Sequence, residues 1–215
     1  MALLRAPPGG WPLADVAAAL GVTLPDVAAR ALGTWLDRMV EWNARIDLTA
    51  ARSVGELVDL MLADALVLSK HVPEGARVVD VGAGAGALGL ALGIVRPDLA
   101  VTLVEPLAKR TAFLRTVLAA IERTDVTVVG KKGEPLVQAG TTFDVAISRA
   151  TLSPPAWLAL GAQLVKPGGD VWVLLAKEPA PAGGSMEQAD THEYTWPGTS
   201  ANRRAVRYVR AASGS

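Results

Sequence analysis

No cysteine occurs anywhere in the 215 residues, which excludes disulfides and thiolate metal sites and fits a reducing compartment. Histidine is nearly as scarce. His71 and His192 are the only two and stand far apart in the chain, so neither a histidine metal site nor a Ser-His-Asp triad is expected. Charge of one sign is also missing: 21 basic side chains balance 21 acidic ones, and any attraction for nucleic acid must come from local clusters. No apolar run reaches the roughly 18 uncharged residues that a membrane span needs. The start, Met1 to Pro8, lacks the basic and apolar regions of a secretory signal. A cytoplasmic, metal-free protein without membrane contact is the expectation.

What is present is a globular composition, 51% hydrophobic and 20% charged. Met1 to Trp11 is proline- and glycine-rich and reads as loose chain. A short helix over Leu13 to Leu20 precedes a longer one from Pro25, in which Val27, Ala31, Trp35, Met39 and Trp42 form an apolar stripe. A further helix over Val54 to Lys70 carries Asp64 among apolar neighbours, either buried or on the polar side. From Arg77 the chain alternates strands (77–81, 100–105, 126–129, 143–147, 171–175, 205–210) with helices (87–94, 109–122, 134–139, 155–164). Alternation of this kind predicts an α/β fold with a mostly parallel sheet and helices on both faces. Residues 1–75 form an N-terminal helical extension and 76–215 the core. Leu164 to Asp170 reads as a turn, and Glu178 to Ala201, aperiodic and proline-rich at its start, as a long loop.

The most informative stretch is Val78-Val79-Asp80-Val81-Gly82-Ala83-Gly84-Ala85-Gly86-Ala87-Leu88-Gly89. A buried strand runs into a glycine at every second position and then into an apolar helix. Such a turn lets a ligand approach bare backbone and the unpaired N–H groups of a helix start. The next strand ends in Glu105, about twenty residues on, where nucleotide-binding units hold ribose hydroxyls. A dinucleotide fingerprint is one reading. Asp80, two residues before Gly82, favours S-adenosylmethionine, because a carboxylate there suits the cationic methionine end and would repel a pyrophosphate. The helical prelude and the Lys166-Pro167-Gly168-Gly169 turn point the same way, to a Rossmann-like class I methyltransferase.

Several segments together resemble one family, the bacterial 16S ribosomal RNA guanine-N7 methyltransferases known as RsmG or GidB. They are Trp42-Asn43 with Asp47-Leu48-Thr49, Asp80 to Gly89, Ile94 to Pro97, Glu105 with Lys109-Arg110 and Phe113-Leu114, Ser148-Arg149-Ala150, and Lys177. The glycine loop offers Gly82, Gly84 and Gly86 to the cofactor, and the resemblance implies that Gly82 and Ala87 contact S-adenosylmethionine and that Glu105 meets the ribose. It further implies Gly133 and Glu134 beside the adenine and Arg149, the catalytic candidate, between cofactor and substrate. Lys109, Arg110 and Lys177 would face RNA phosphates. Arg203 joins them from a basic run of its own (Arg203, Arg204, Arg207, Arg210). The implied partner is 16S rRNA in the small ribosomal subunit, met by a monomer. The chain departs from the family at Ala87-Leu88-Gly89, where Phe-Pro-Gly is usual, at Met61 and Ala65, and at Glu178. These departures leave open a small-molecule or protein acceptor, or a cofactor-binding module without catalysis.

Guanine N7 needs no deprotonation before attacking a methyl group, so orientation would carry most of the catalysis. Of the tryptophans, Trp35, Trp42 and Trp172 read as core, and Trp157 and Trp196 as candidates for base stacking.

Overall fold

The computed structural model describes residues 5–212, so the first four residues of the loose N-terminal stretch lie outside it. Four strands follow the Rossmann-like pattern expected: β1 (Arg77–Val81), β2 (Ala100–Val104), β3 (Thr127–Val129) and β4 (Phe143–Ser148). They are joined by β5 (Val165–Leu175), β6 (Met186–Thr195) and β7 (Asn202–Arg210) in one sheet of order β3-β2-β1-β4-β5-β7-β6. The first five strands are parallel, and β7 and β6 run antiparallel at one edge.

The order reverses beside β1: β2 and β3 extend to one side and β4 to the other. A crevice therefore opens at the carboxyl ends of β1 and β4, where open α/β sheets take their ligands. Residues of β1 alternate between the two layers. Val78 packs into the core beneath the N-terminal helices, and Val79 and Val81 pack into the core beneath the helix Pro154–Leu164. No helix among the described residues is long and apolar enough to cross a membrane.

The helices before β1 share one apolar core with the sheet. They are α1 (Leu13–Ala19), α2 (Asp26–Asn43), α3 (Val54–Val58), a π-helical turn (Asp59–Ala63) and α4 (Asp64–Leu68). The buried stripe of α2 is Ala28, Leu32, Trp35, Leu36 and Met39, while Val27, expected in the stripe, is 67% exposed. Arg96, just after α5 (Gly89–Val95), ties this segment to the sheet. Its guanidinium donates to the carbonyls of Ser69 (2.8 Å) and Val72 (3.0 Å) and pairs with Asp98 at 2.6 Å.

Two expectations are corrected. The stretch Glu178 to Ala201 is not all loop, because Met186–Thr195 pairs with β7 along its whole length. This strand shows no apolar alternation since most of its side chains are exposed at the sheet edge. The turn expected over Leu164 to Asp170 lies within β5, whose pairing with β4 shifts register between Phe143 and Val145.

Candidate functional site

A cavity of about 550 Å³ lies in the crevice, within the size range of small-molecule and cofactor sites. Its floor is the β1–α5 loop. Gly82, Gly84 and Gly86 all have left-handed φ values, +77°, +57° and +92°. At Gly82 the second reason for glycine is Thr151, whose Oγ1 would sit 2.0 Å from an added Cβ. At Gly84 an added Cβ would meet nothing closer than the Gly82 carbonyl at 3.9 Å, so its backbone is open to a ligand.

The loop is held from two sides. The Trp35 indole N–H donates to the Ala85 carbonyl at 2.9 Å, so the buried face of α2 fixes the loop from behind. Glu105 follows β2 and is buried. One carboxylate oxygen accepts the Gly84 N–H at 2.9 Å and the other accepts the Leu107 N–H at 2.8 Å. Asp80 is buried at the end of β1 and accepts the Gly89 N–H at 2.7 Å. Burial pushes its carboxyl up to about 7, against the pull of the Gly89 N–H and the Arg149 charge. Two carboxyl groups thus border one cavity with their remaining lone pairs available.

The opposite wall comes from the end of β4. Ser148 is buried and donates to the Val81 carbonyl at 2.7 Å, locking β4 to β1. Ala150 has a left-handed φ of +55°, uncommon for a residue with a side chain. Between them Arg149 lines the cavity and donates through Nη1 to the Leu60 carbonyl (2.6 Å) and to Asp64 (3.1 Å). Asp64 is 2% exposed, which resolves its placement in favour of burial. Its other oxygen accepts from Tyr194 Oη at 2.7 Å and Trp196 Nε1 at 2.8 Å.

The π-helical turn helps to make this possible. Asp59 is also buried and accepts from the Gly198 N–H (3.0 Å) and Thr199 Oγ1 (2.8 Å). Residues five apart lie about 140° apart around an α-helix. The wider turn, with its i→i+5 bonds, brings Asp59 and Asp64 round to the same β6–β7 connection.

Of the residues expected at a cofactor, Asp80, Gly82, Gly84, Ala87, Glu105 and Arg149 line this cavity. Gly86, Gly133 and Glu134 do not. Gly86 is buried beneath Leu90 and Leu114, and Gly133 packs on Val81 and Leu160. The basic candidates are spread out. Arg110 borders the cavity and shares an adjoining groove with Lys109 and Arg45, whereas Lys177 is exposed beyond the end of β5.

The β7 cluster is not a free basic patch. Arg204 donates to the Glu178 carbonyl, Arg207 pairs with Asp190 (3.2 Å), and Arg210 donates to the Val165 carbonyl at 2.6 Å. Arg203 alone of the four turns to an aromatic face, 3.9 Å above the Trp196 ring. Both tryptophans expected to stack bases are buried. Trp157 donates to the Trp172 carbonyl inside the core, and Trp196 is engaged by Asp64.

Sequence reasoning missed Tyr194 and Leu60, for which it held no signal. It also kept the two histidines apart, whereas their rings stack at 3.8 Å with Trp172 alongside.

Comparison with known proteins bears on this arrangement. The family model for rRNA small subunit methyltransferase G matches residues 28–193. A ribosomal RNA small subunit methyltransferase G from Anaeromyxobacter dehalogenans (strain 2CP-C) is 38% identical over 162 residues, 74% of this chain and 75% of the relative. One from Burkholderia multivorans is 35% identical over 172 residues, 78% of this chain and 75% of the relative. Among solved structures, M. jannaschii TYW2 in complex with AdoMet superposes with a TM-score of 0.57 at 13% identity, covering 78% of this chain and 80% of that one. A predicted O-methyltransferase, protein Atu636 from Agrobacterium tumefaciens, gives 0.54 at 22% identity, covering 69% and 83%. These two likenesses concern the fold.

Proposed function

The chain belongs to the rRNA small subunit methyltransferase G family, and on that premise we propose that it methylates N7 of a guanine in 16S ribosomal RNA, with S-adenosylmethionine as donor. The observation that carries the cofactor reading is the cavity at the end of β1. It combines open left-handed backbone at Gly84 with two buried carboxyl groups, Asp80 and Glu105. A pyrophosphate would be repelled by Asp80, whereas a cationic, ribose-bearing ligand suits the pair.

In this reading Glu105 accepts from ribose hydroxyls while its N–H bonds to Gly84 and Leu107 hold it still. Asp80 faces the cationic methionine end, and Gly82, Gly84 and Ala87 give backbone contact. S-adenosylmethionine, when bound, supplies a methyl group on a positively charged sulfur. Arg149 stands at the wall shared with the acceptor and orients it. Guanine N7 presents a lone pair on the base edge, so the chain's task is alignment rather than proton removal. Arg110 and Lys109, at and beside the cavity mouth, and Arg203 would hold RNA phosphates.

The test is transfer of a labelled methyl group to small ribosomal subunits that lack the modification. The reading expects label in 16S rRNA as N7-methylguanine. Tight cofactor binding with no transfer to the subunit would sink it.

A further inference from the structure

A second cavity of about 290 Å³ adjoins the first and shares Leu60, Arg149 and Ala150 with it. Its remaining walls include Asp64, Leu152, Leu174 and Trp196, with Arg203 and the carboxylate of Glu178 at the rim. We propose that this second cavity receives the flipped-out acceptor base, and that Asp64 is the positioning residue that fixes Arg149 between base and cofactor. The proposal rests on reading the first cavity as the S-adenosylmethionine site.

The walls fit a purine nucleotide. Apolar side chains suit the faces of a base taken out of its stack, and Leu152 is 41% exposed with nothing to cover it. Arg203 makes no ion pair of 4 Å or less among the described residues, and its guanidinium carbon sits 3.9 Å from the centre of the Trp196 ring. It puts a positive charge at the cavity edge, beside Glu178, where a phosphate of the same nucleotide can be met.

Arg149 is built for two tasks at once. Its Nη1 is committed to Leu60 and Asp64, while Nε and Nη2 have no partner among the described residues and keep their donors for a ligand carbonyl. Asp64 in turn is gripped by Tyr194 and Trp196, so the guanidinium is anchored to the β6–β7 hairpin as well as to the helical segment. The carboxylate also offsets the arginine charge. In the transfer, the lone pair on the base nitrogen forms the new N–CH3 bond as the S–CH3 bond breaks and its pair passes to sulfur. No proton leaves, and the positive charge moves from sulfur to the base. A guanidinium neutralised by Asp64 can donate to the base without opposing that charge.

The experiment uses the full chain with S-adenosylmethionine and unmodified small subunits. Transfer by the unaltered chain checks the underlying reading on its own, since its absence overturns that reading and this proposal with it. Ala176→Trp, at an exposed position on the second cavity's wall, should leave S-adenosylmethionine affinity by calorimetry within about threefold and lower kcat/KM for the subunit by about a hundredfold. Normal turnover, or loss of cofactor binding, would overturn the assignment of the cavity. Asp64→Asn keeps the shape of the side chain and should lower kcat at saturating subunit by about ten- to a hundredfold with the cofactor Kd little changed. Leu152→Glu, which alters only an exposed side chain, guards against a folding defect and should raise KM for the subunit. An unchanged kcat in Asp64→Asn at full cofactor occupancy would overturn the positioning role.

Discussion

Trp35 and Ala85 are fifty residues apart, yet the indole N–H of one donates to the buried carbonyl of the other at 2.9 Å. The N-terminal helices are thus part of the cavity's support, not an ornament beside it. Trp35→Phe keeps most of the packing and orphans the Ala85 carbonyl. It should cost about 1–3 kcal/mol in denaturant unfolding and weaken S-adenosylmethionine binding several-fold by calorimetry. Unaltered affinity would show that the loop holds its shape without this bond.

Gly84 in the loop and Gly89 at the start of α5 should respond to alanine in different ways. At Gly89 a new Cβ would lie 2.6 Å from the Asp80 Cβ and 2.7 Å from Leu103 Cδ2, so overpacking should destabilise the fold by about 1–3 kcal/mol. At Gly84 there is room, and the left-handed backbone alone should cost about 1–2 kcal/mol. The methyl would nevertheless project where a ligand meets bare backbone, so Gly84→Ala should lose proportionally more cofactor affinity than stability. Urea titrations paired with calorimetry separate the two.

The buried carboxyl of Asp80 sets a pH dependence. Its folded pKa of about 7 stands above the 3.8 of an ordinary aspartate in the unfolded chain, so the folded protein binds this proton more tightly. The associated stability is full below the unfolded value and is lost as pH rises through about 7. A cationic ligand favours the ionised form, so cofactor affinity should rise by up to about tenfold between about pH 6 and about pH 8. Asp80→Asn should flatten both profiles. A variant that keeps the slope would assign it to another group.

How much of this was legible in the sequence depends on where each signal was local. The glycine run, Asp80 and Glu105 could be read because a strand buried on both faces passes directly into a turn that only glycine tolerates. The β6 strand could not, because an exposed edge strand such as Met186–Thr195 holds its place through backbone pairing with β7, which leaves no apolar pattern. Asp64 was visible as an acid among apolar residues, but its partners Tyr194 and Trp196 lie 130 and 132 residues further on. Gly133 was carried over by resemblance, and in the fold it packs on Val81 instead of lining the cavity.

The stacked histidines supply a test of the fold away from the cavity. Burial, then the neighbouring His192, Lys70 and Arg207, hold His71 below its ordinary value, with Asp190 opposing. A lowered folded pKa means stability that is intact above the unfolded value of 6.5 and lost as pH falls below it. His71→Phe keeps a ring on His192 and should reduce that loss, as followed by unfolding midpoints across the acid range. An unchanged acid limb would place the titration elsewhere.

Methylation of guanine N7 in 16S rRNA is the activity proposed for this chain. Its most direct test incubates the full chain with methyl-labelled S-adenosylmethionine and small ribosomal subunits lacking the modification, followed by nucleoside analysis of the 16S rRNA. N7-methylguanine is expected at one site, with transfer falling steeply as salt rises because phosphate contacts guide the RNA. Label in a different nucleoside, or a chain that binds the cofactor and leaves the rRNA unlabelled, would contradict it.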